Sequence, residues 1–153
     1  ELGDRIDVAI EAGVARSGII IDPGLGFAKR AEHTFAALAA LGRLALLDRP
    51  LLVGPSRKSF LGGDGDGGPD DREWGTAAAV TAAVLDGAHI VRVHGVREMV
   101  QVVRVADRIR AARDAAPHTD ERRRRSLASR SVSYSPATRG VHISACHENL
   151  LHT

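Results

Sequence analysis

Three short apolar runs punctuate the chain: Gly18-Ile19-Ile20-Ile21-Asp22, Pro50-Leu51-Leu52-Val53-Gly54 and His89-Ile90-Val91-Arg92-Val93. Each is rich in β-branched residues or leucine and ends in polar residues or glycine. Continuous runs of this length predict strands buried on both faces, as in a parallel sheet. Stripes at helical spacing lie between and around them. Ile6, Ile10 and Val14 form the first, stopped by Gly18, and Phe35, Leu38, Leu41 and Ala45 form the second, closed by Pro50. Val80 and Val84 mark a third helix from near Thr76 to near Gly87, and Met99, Val102, Val103, Ala106 and Ile109 mark a fourth. The order is αβαβαβα. Strand starts fall at residues 19, 51 and 90, the spacing of βα units, with the longer interval absorbed by a loop from Gly62 to Arg72. Alternating βα units imply a parallel α/β architecture, either a barrel or an open sheet. A closed barrel takes eight units and about 250 residues, so three strands are few for it.

After Ala116 the periodicity stops. The Arg122–Arg125 run and the Ser-rich stretch from Ser126 to Ser135 predict a disordered basic tail over residues 117–153, following a folded domain over residues 1–116. Charge supports this division. The chain of 153 residues has a formal net charge of +2, but residues 1–116 carry 15 basic and 16 acidic side chains, whereas the tail carries six arginines against three acidic residues. A nucleic-acid reading would therefore rest on Arg122–Arg125 alone, and it is set aside. His142, His147, His152 and Cys146 match no standard zinc spacing. A single cysteine excludes an internal disulfide and suits a reducing, cytoplasmic compartment. No apolar run reaches the roughly 18 residues of a membrane span. The charged start, without a signal-peptide pattern or an initial Met, predicts that the chain is a piece of something longer.

In parallel α/β folds ligands bind beyond the carboxyl ends of the strands, and all three runs end in unusual chemistry. Asp22-Pro23-Gly24-Leu25-Gly26-Phe27 sets a carboxylate directly after a strand, where it can accept N–H donors from a flat heterocycle. Gly54-Pro55-Ser56-Arg57-Lys58 puts two hydroxyl-flanked cations at the second strand end, suited to an anion but not spaced as a P-loop. Arg92-Val93-His94-Gly95 places Arg92 and His94 on one face by period two, and two such groups in a buried strand need an anionic partner or a cavity. For the first end alone, a capped turn explains the residues as well as a binding role does.

Taken together, Asp22–Phe27, Ser56-Arg57-Lys58 and Arg92-Val93-His94 resemble, in order, the three C-terminal motifs of dihydropteroate synthase. Gly75-Thr76 and Asp86-Gly87-Ala88 fit the same pattern, and the resemblance extends over about residues 1–113. It implies the last three strands of a TIM (β/α)8 barrel, in a fragment inactive by itself. It also implies a folate-biosynthesis transferase joining 4-aminobenzoate to 6-hydroxymethyl-7,8-dihydropterin diphosphate, with release of diphosphate. By this resemblance Asp22 binds the pterin, Lys58 reaches the pterin and the aminobenzoate, and Phe27, Ser56 and Arg57 neighbour the aminobenzoate. Arg92 and His94 hold the diphosphate. The arylamine is a neutral nucleophile, so no general base is required. Mg2+ is the cofactor implied, with its ligand in an N-terminal half that this chain lacks, and a homodimer is implied for the full-length protein. One departure is Gly95, where the family commonly has Asp. A pterin-binding methyltransferase domain using methyltetrahydrofolate, and a non-catalytic remnant or paralogue, are the alternatives.

Overall fold

The computed structural model describes residues 1–27, 30–63, 67–116 and 141–145. Helix α1 (Leu2–Glu11) buries Ile6 and leans Ile10 on the core, whereas Val14 lies beyond its end and is exposed. The first expected strand contracts to a single parallel bridge, Ile21 to Leu51. Ile21 N–H donates to the Pro50 carbonyl and Leu52 N–H to the Ile21 carbonyl. Asp22 then turns away, and Pro23 has no N–H with which to continue a ladder. Helix α2 (Ala31–Ala39) tightens into a 3-10 segment, Leu41–Leu47. The expected stripe holds only in part: Leu38 and Leu41 are buried, Ala45 in the 3-10 segment is exposed, and Phe35 is half exposed and meets the Phe60 ring edge-on at 5.3 Å between centroids.

Strand β1 (Leu52–Val53) pairs parallel with β2 (Ile90–Val93), Leu52 opposite Ile90 and Val53 opposite Val91. Between them run the 3-10 turns Ser59–Leu61 and Pro69–Arg72 and helix α3 (Glu73–Leu85). The 3-10 turn at Pro69–Arg72 thus occupies part of the expected loop, and α3 begins at Glu73, earlier than near Thr76. Its buried face is Thr76, Ala79, Val80, Ala83 and Val84; side chains this small let it lie close against α4 (Val96–Ala115), which contributes Met99, Val103 and Ala106. Ile109, expected in that stripe, is 40% exposed.

The strands are buried on one face rather than two. Val53, Val91 and Val93 are fully enclosed in the same apolar cluster as the buried residues of α3 and α4. The alternate positions Leu52, Ile90 and Arg92 are only half buried. A covered sheet face is supplied by helices, and here they pack on the valine side.

The expectation of disorder throughout residues 117–153 fails at one place. His142–Ala145 form a third strand, β3, parallel to β2 with Ile90 opposite His142 and Val93 opposite Ala145. His142 N–H donates to the His89 carbonyl at 2.8 Å, and Val141 and Ile143 pack on the core. The reason is visible in Val141-His142-Ile143: a short alternation with two β-branched residues suffices when an unpaired edge of β2 is there to template it. Arg122–Arg125, the Ser-rich stretch, Cys146, His147 and His152 lie outside the described residues. Among the described residues no helix is long and apolar enough to cross a membrane.

Candidate functional site

Parallel strands deliver their carboxyl ends to one side of the sheet, and the three predicted motifs meet there. Asp22 follows the Ile21 bridge directly. Its Oδ1 accepts the Gly24 N–H at 2.8 Å, an Asx-type turn that fixes the carboxylate at the strand exit. Its Oδ2 lies 3.7 Å from Arg92 Nη2, and both side chains are about one-third exposed, at 34% and 37%. The heterocycle-type group and the anion-type group thus form an ion pair with each other.

Arg92 reaches Asp22 by lying across the backbone at Gly54, just after β1. A Cβ placed on Gly54 would stand 3.0 Å from Arg92 Nη2 and 3.2 Å from its Nε, so the absence of a side chain at 54 makes the crossing possible. Lys58 makes a second crossing. Its Nζ donates to the Leu25 carbonyl and stands 4.0 Å from the centroid of the Phe27 ring, a cation–π geometry. Its stem covers Gly26, whose φ of +74° and lack of a Cβ are both required: a Cβ there would meet Lys58 Cδ at 2.8 Å. Phe27, at 62% exposed, presents the ring's other surface to solvent.

Ser56 is almost fully buried and joins the second strand end to the third. Its Oγ accepts the His94 backbone N–H at 3.2 Å and lies 2.9 Å from His94 Nδ1. With the hydroxyl hydrogen directed at Nδ1, the neutral ring carries its proton on Nε2 and becomes a donor there, the form that an anionic oxygen needs.

Asp22, Phe27, Ser56, Lys58, Arg92 and His94 therefore gather at one end of the sheet. Arg57 departs from them. Its φ of +58° is left-handed, and its side chain turns towards the start of α3. There Nη1 is 2.9 Å from Asp70 Oδ1 and Nε is 3.4 Å from Glu73 Oε2, while its backbone N–H donates to Thr76 Oγ1 at 3.0 Å and its carbonyl accepts from Arg72 Nη1 at 2.9 Å. Glu73 and Thr76 were not picked out as site residues by sequence reasoning. The available signal was Thr76, a hydroxyl among the Ala and Val of a buried face; Glu73 resembles any acidic residue in a first helical turn. Among the described residues no group of three or more His, Cys, Asp or Glu side chains gathers to hold a metal ion.

The sequence profile of a family described as pterin binding enzyme matches residues 1–94. The chain is 50% identical over 104 residues to the dihydropteroate synthase of Synechocystis sp., covering 67% of this chain and 36% of that protein. It is 40% identical over 104 residues to the dihydropteroate synthase of Escherichia coli, covering 68% and 37%. Among solved structures, Yersinia pestis dihydropteroate synthase superposes with a TM-score of 0.69 at 36% identity, over 72% of this chain and 52% of that one. The Xanthomonas albilineans dihydropteroate synthase, solved in complex with 7,8-dihydropteroate, gives 0.68 at 38% identity, over 76% and 44%. The chain thus spans little more than a third of these two curated relatives.

Proposed function

The chain belongs to the pterin-binding enzyme family, its fold is a portion of the family's (β/α)8 barrel, and from that premise we propose that it supplies the pterin-facing and leaving-group-facing strand ends of a dihydropteroate synthase. In this reading Asp22 accepts the ring N–H donors of the pterin. Arg92 and His94 take the diphosphate oxygens, and Lys58, with Phe27 and Ser56, borders the incoming 4-aminobenzoate. The amine nitrogen attacks the pterin methylene carbon as the C–O bond to diphosphate breaks, and the nitrogen then loses a proton to solvent. The chain's contribution is to orient the pterin and to stabilise the negative charge growing on the departing group. A Mg2+ ion would add to that charge stabilisation, but the described donors do not form a site for it and no step here depends on one. Three cationic or potentially cationic groups, Lys58, Arg92 and His94, favour an anionic leaving group over methyl transfer from a folate. A cytoplasmic setting belongs to the same proposal and is supported by the single cysteine.

The observation that carries the reading is the Asp22–Arg92 pair, two opposite charges from neighbouring strand ends held within 3.7 Å but left partly open to solvent. Each is the other's counterion until a substrate supplies a better one. The test is calorimetry of the 153-residue chain with 6-hydroxymethylpterin and with diphosphate. Asp22→Ala is expected to weaken the pterin by about 10- to 100-fold, the equivalent of a charge-assisted contact of about 1.5–3 kcal/mol, and to leave diphosphate equal or tighter. Arg92→Ala is expected to do the reverse. Equal losses of both ligands in both variants would show that the pair supports the fold and does not divide the substrate.

A further inference from the structure

Glu73 has no part in the reaction just described, yet its placement is unusual. It opens α3, and its two carboxylate oxygens have different surroundings. Oε2 faces Arg57 Nε at 3.4 Å. Oε1 is buried and, among the described residues, has no hydrogen-bond partner. An acceptor left so is costly, so its position calls for a reason.

The reason is the space over Gly95. A Cβ built on Gly95 would lie 2.6 Å from Glu73 Oε1 and 3.2 Å from Glu98 Oε2. The Glu73 carboxylate therefore fills the volume that any side chain at position 95 would claim, at the turn between His94 and α4. Arg57 is held by groups of unequal weight. Asp70 is 91% exposed, and an ion pair so solvated contributes little. Glu73 and Arg57 are each 27% exposed, so this contact is less screened by water. The backbone of Arg57 is fixed independently, by Thr76 and Arg72, in its left-handed conformation. What remains for Glu73 to decide is where the guanidinium points.

We propose that Glu73 is the positioning residue of Arg57 and that Gly95 is the seat that admits its carboxylate. The residue at position 95, on the third strand end, thereby sets the direction of a cation on the second. In consequence the cation adjoining Ser56 and Lys58 is drawn away from the substrate side and towards α3. This lowers the positive potential beside Lys58 and leaves Lys58 as the cation that meets 4-aminobenzoate; this consequence rests on the reading of the site given above, whereas the positioning does not.

The experiment uses the 15N-labelled 153-residue chain and the Nε–H resonance of Arg57, assigned by its loss in Arg57→Lys. Glu73→Gln keeps the shape and removes the charge; Gly95→Ala keeps Glu73 and removes its seat. Both are expected to shift the Arg57 Nε–H resonance and to raise its solvent exchange at least tenfold, while the backbone amides of α4 and β2 keep their protection. A purely structural role would not give this selective signature. An unchanged Arg57 resonance in Glu73→Gln overturns the proposal, and that variant decides the matter if Gly95→Ala loses its fold. Calorimetry with 4-aminobenzoate then tests the consequence: the released guanidinium is expected to change its affinity about three- to tenfold in both variants without altering diphosphate binding. Equal 4-aminobenzoate affinities in wild type and variants overturn the consequence. Failure of the wild-type chain to bind 4-aminobenzoate counts against the reading of the site instead, and leaves the positioning to the Arg57 resonance.

Discussion

At the residue scale, His89 shows how a single ring can tie two strands while remaining sensitive to acid. It sits at the entry to β2, at the opposite end from the site, and its Nδ1 accepts the Leu51 N–H at 3.2 Å. Burial foremost, and the nearby Arg110 charge after it, push its pKa below the ordinary 6.5. Protonation would also turn the accepting nitrogen into a donor facing a donor. The sign follows by linkage: in the window between the lowered folded value and 6.5 the unfolded chain binds more protons, so stability rises with pH. The contribution is complete above about pH 6.5 and is lost as pH falls through the folded value. An NMR titration of the His89 ring should find its midpoint below 6.5. Arg110→Gln should raise that midpoint only part of the way, because burial is the larger cause. A midpoint at or above 6.5 in the wild type would contradict this account.

At the scale of elements, α3 is more than a wall of the core. Its small buried residues bring it near enough to β1 and β2 for Thr76, wholly buried, to receive the Arg57 N–H. One hydroxyl therefore anchors the turn after β1 to a helix that begins 16 residues later and holds a left-handed residue in place. Thr76→Val keeps the volume and removes the acceptor. It is expected to cost about 1–3 kcal/mol, read as a lower urea midpoint with an unchanged m-value. Thr76→Ser, which keeps the oxygen, should recover most of the loss. Equal stability of the Val variant and the wild type would mean that water serves the Arg57 N–H equally well. The 3-10 segment Leu41–Leu47 departs from helical spacing, and it buries Leu41 while leaving Leu46 59% exposed.

For the whole molecule, the order β1-β2-β3 matters because β3 comes from far along the chain. It covers an edge of β2 that would otherwise present unpaired N–H and C=O groups, a surface that invites pairing between copies. The tail thereby does work that its composition conceals. Ile143→Asp sets a charge where a half-buried isoleucine packs on the core opposite Val91. It is expected to detach the strand, to speed amide exchange along β2 at least tenfold, and to shift the chain to larger species in size-exclusion chromatography. Unaltered β2 exchange in this variant would show that β3 protects nothing. The open face carrying Leu52 and Ile90 should be little affected, since the strand's order, and not its covering layer, is what changes.

The alternation of helix and parallel strand, and the three strand ends as the seat of chemistry, are legible in the order of residues alone. Continuous runs such as His89–Val93 can be buried only by flanking layers, and a carboxylate or cation directly after them has one direction in which to emerge. Asp22, Lys58, Arg92 and His94 were legible for that reason. Tertiary structure decided what contact alone can decide. Whether a run is covered on one face or two depends on where the helices pack, so the single-sided burial of β2 could not be read from its apolar residues. Ile19–Ile21 reads as a strand but pairs at one residue only: Ile19 still caps the 3-10 turn Arg16–Gly18, and after Ile21 the turn of Asp22 and Pro23 end the ladder. His142–Ala145, four residues amid polar chain, had no periodicity long enough to register and became a strand only because β2 offered an edge. The partnership of Arg57, Glu73 and Gly95 joins three elements across nearly 40 positions. No spacing rule links them, because what brings a carboxylate over a glycine is the packing of α3 against the turn into α4.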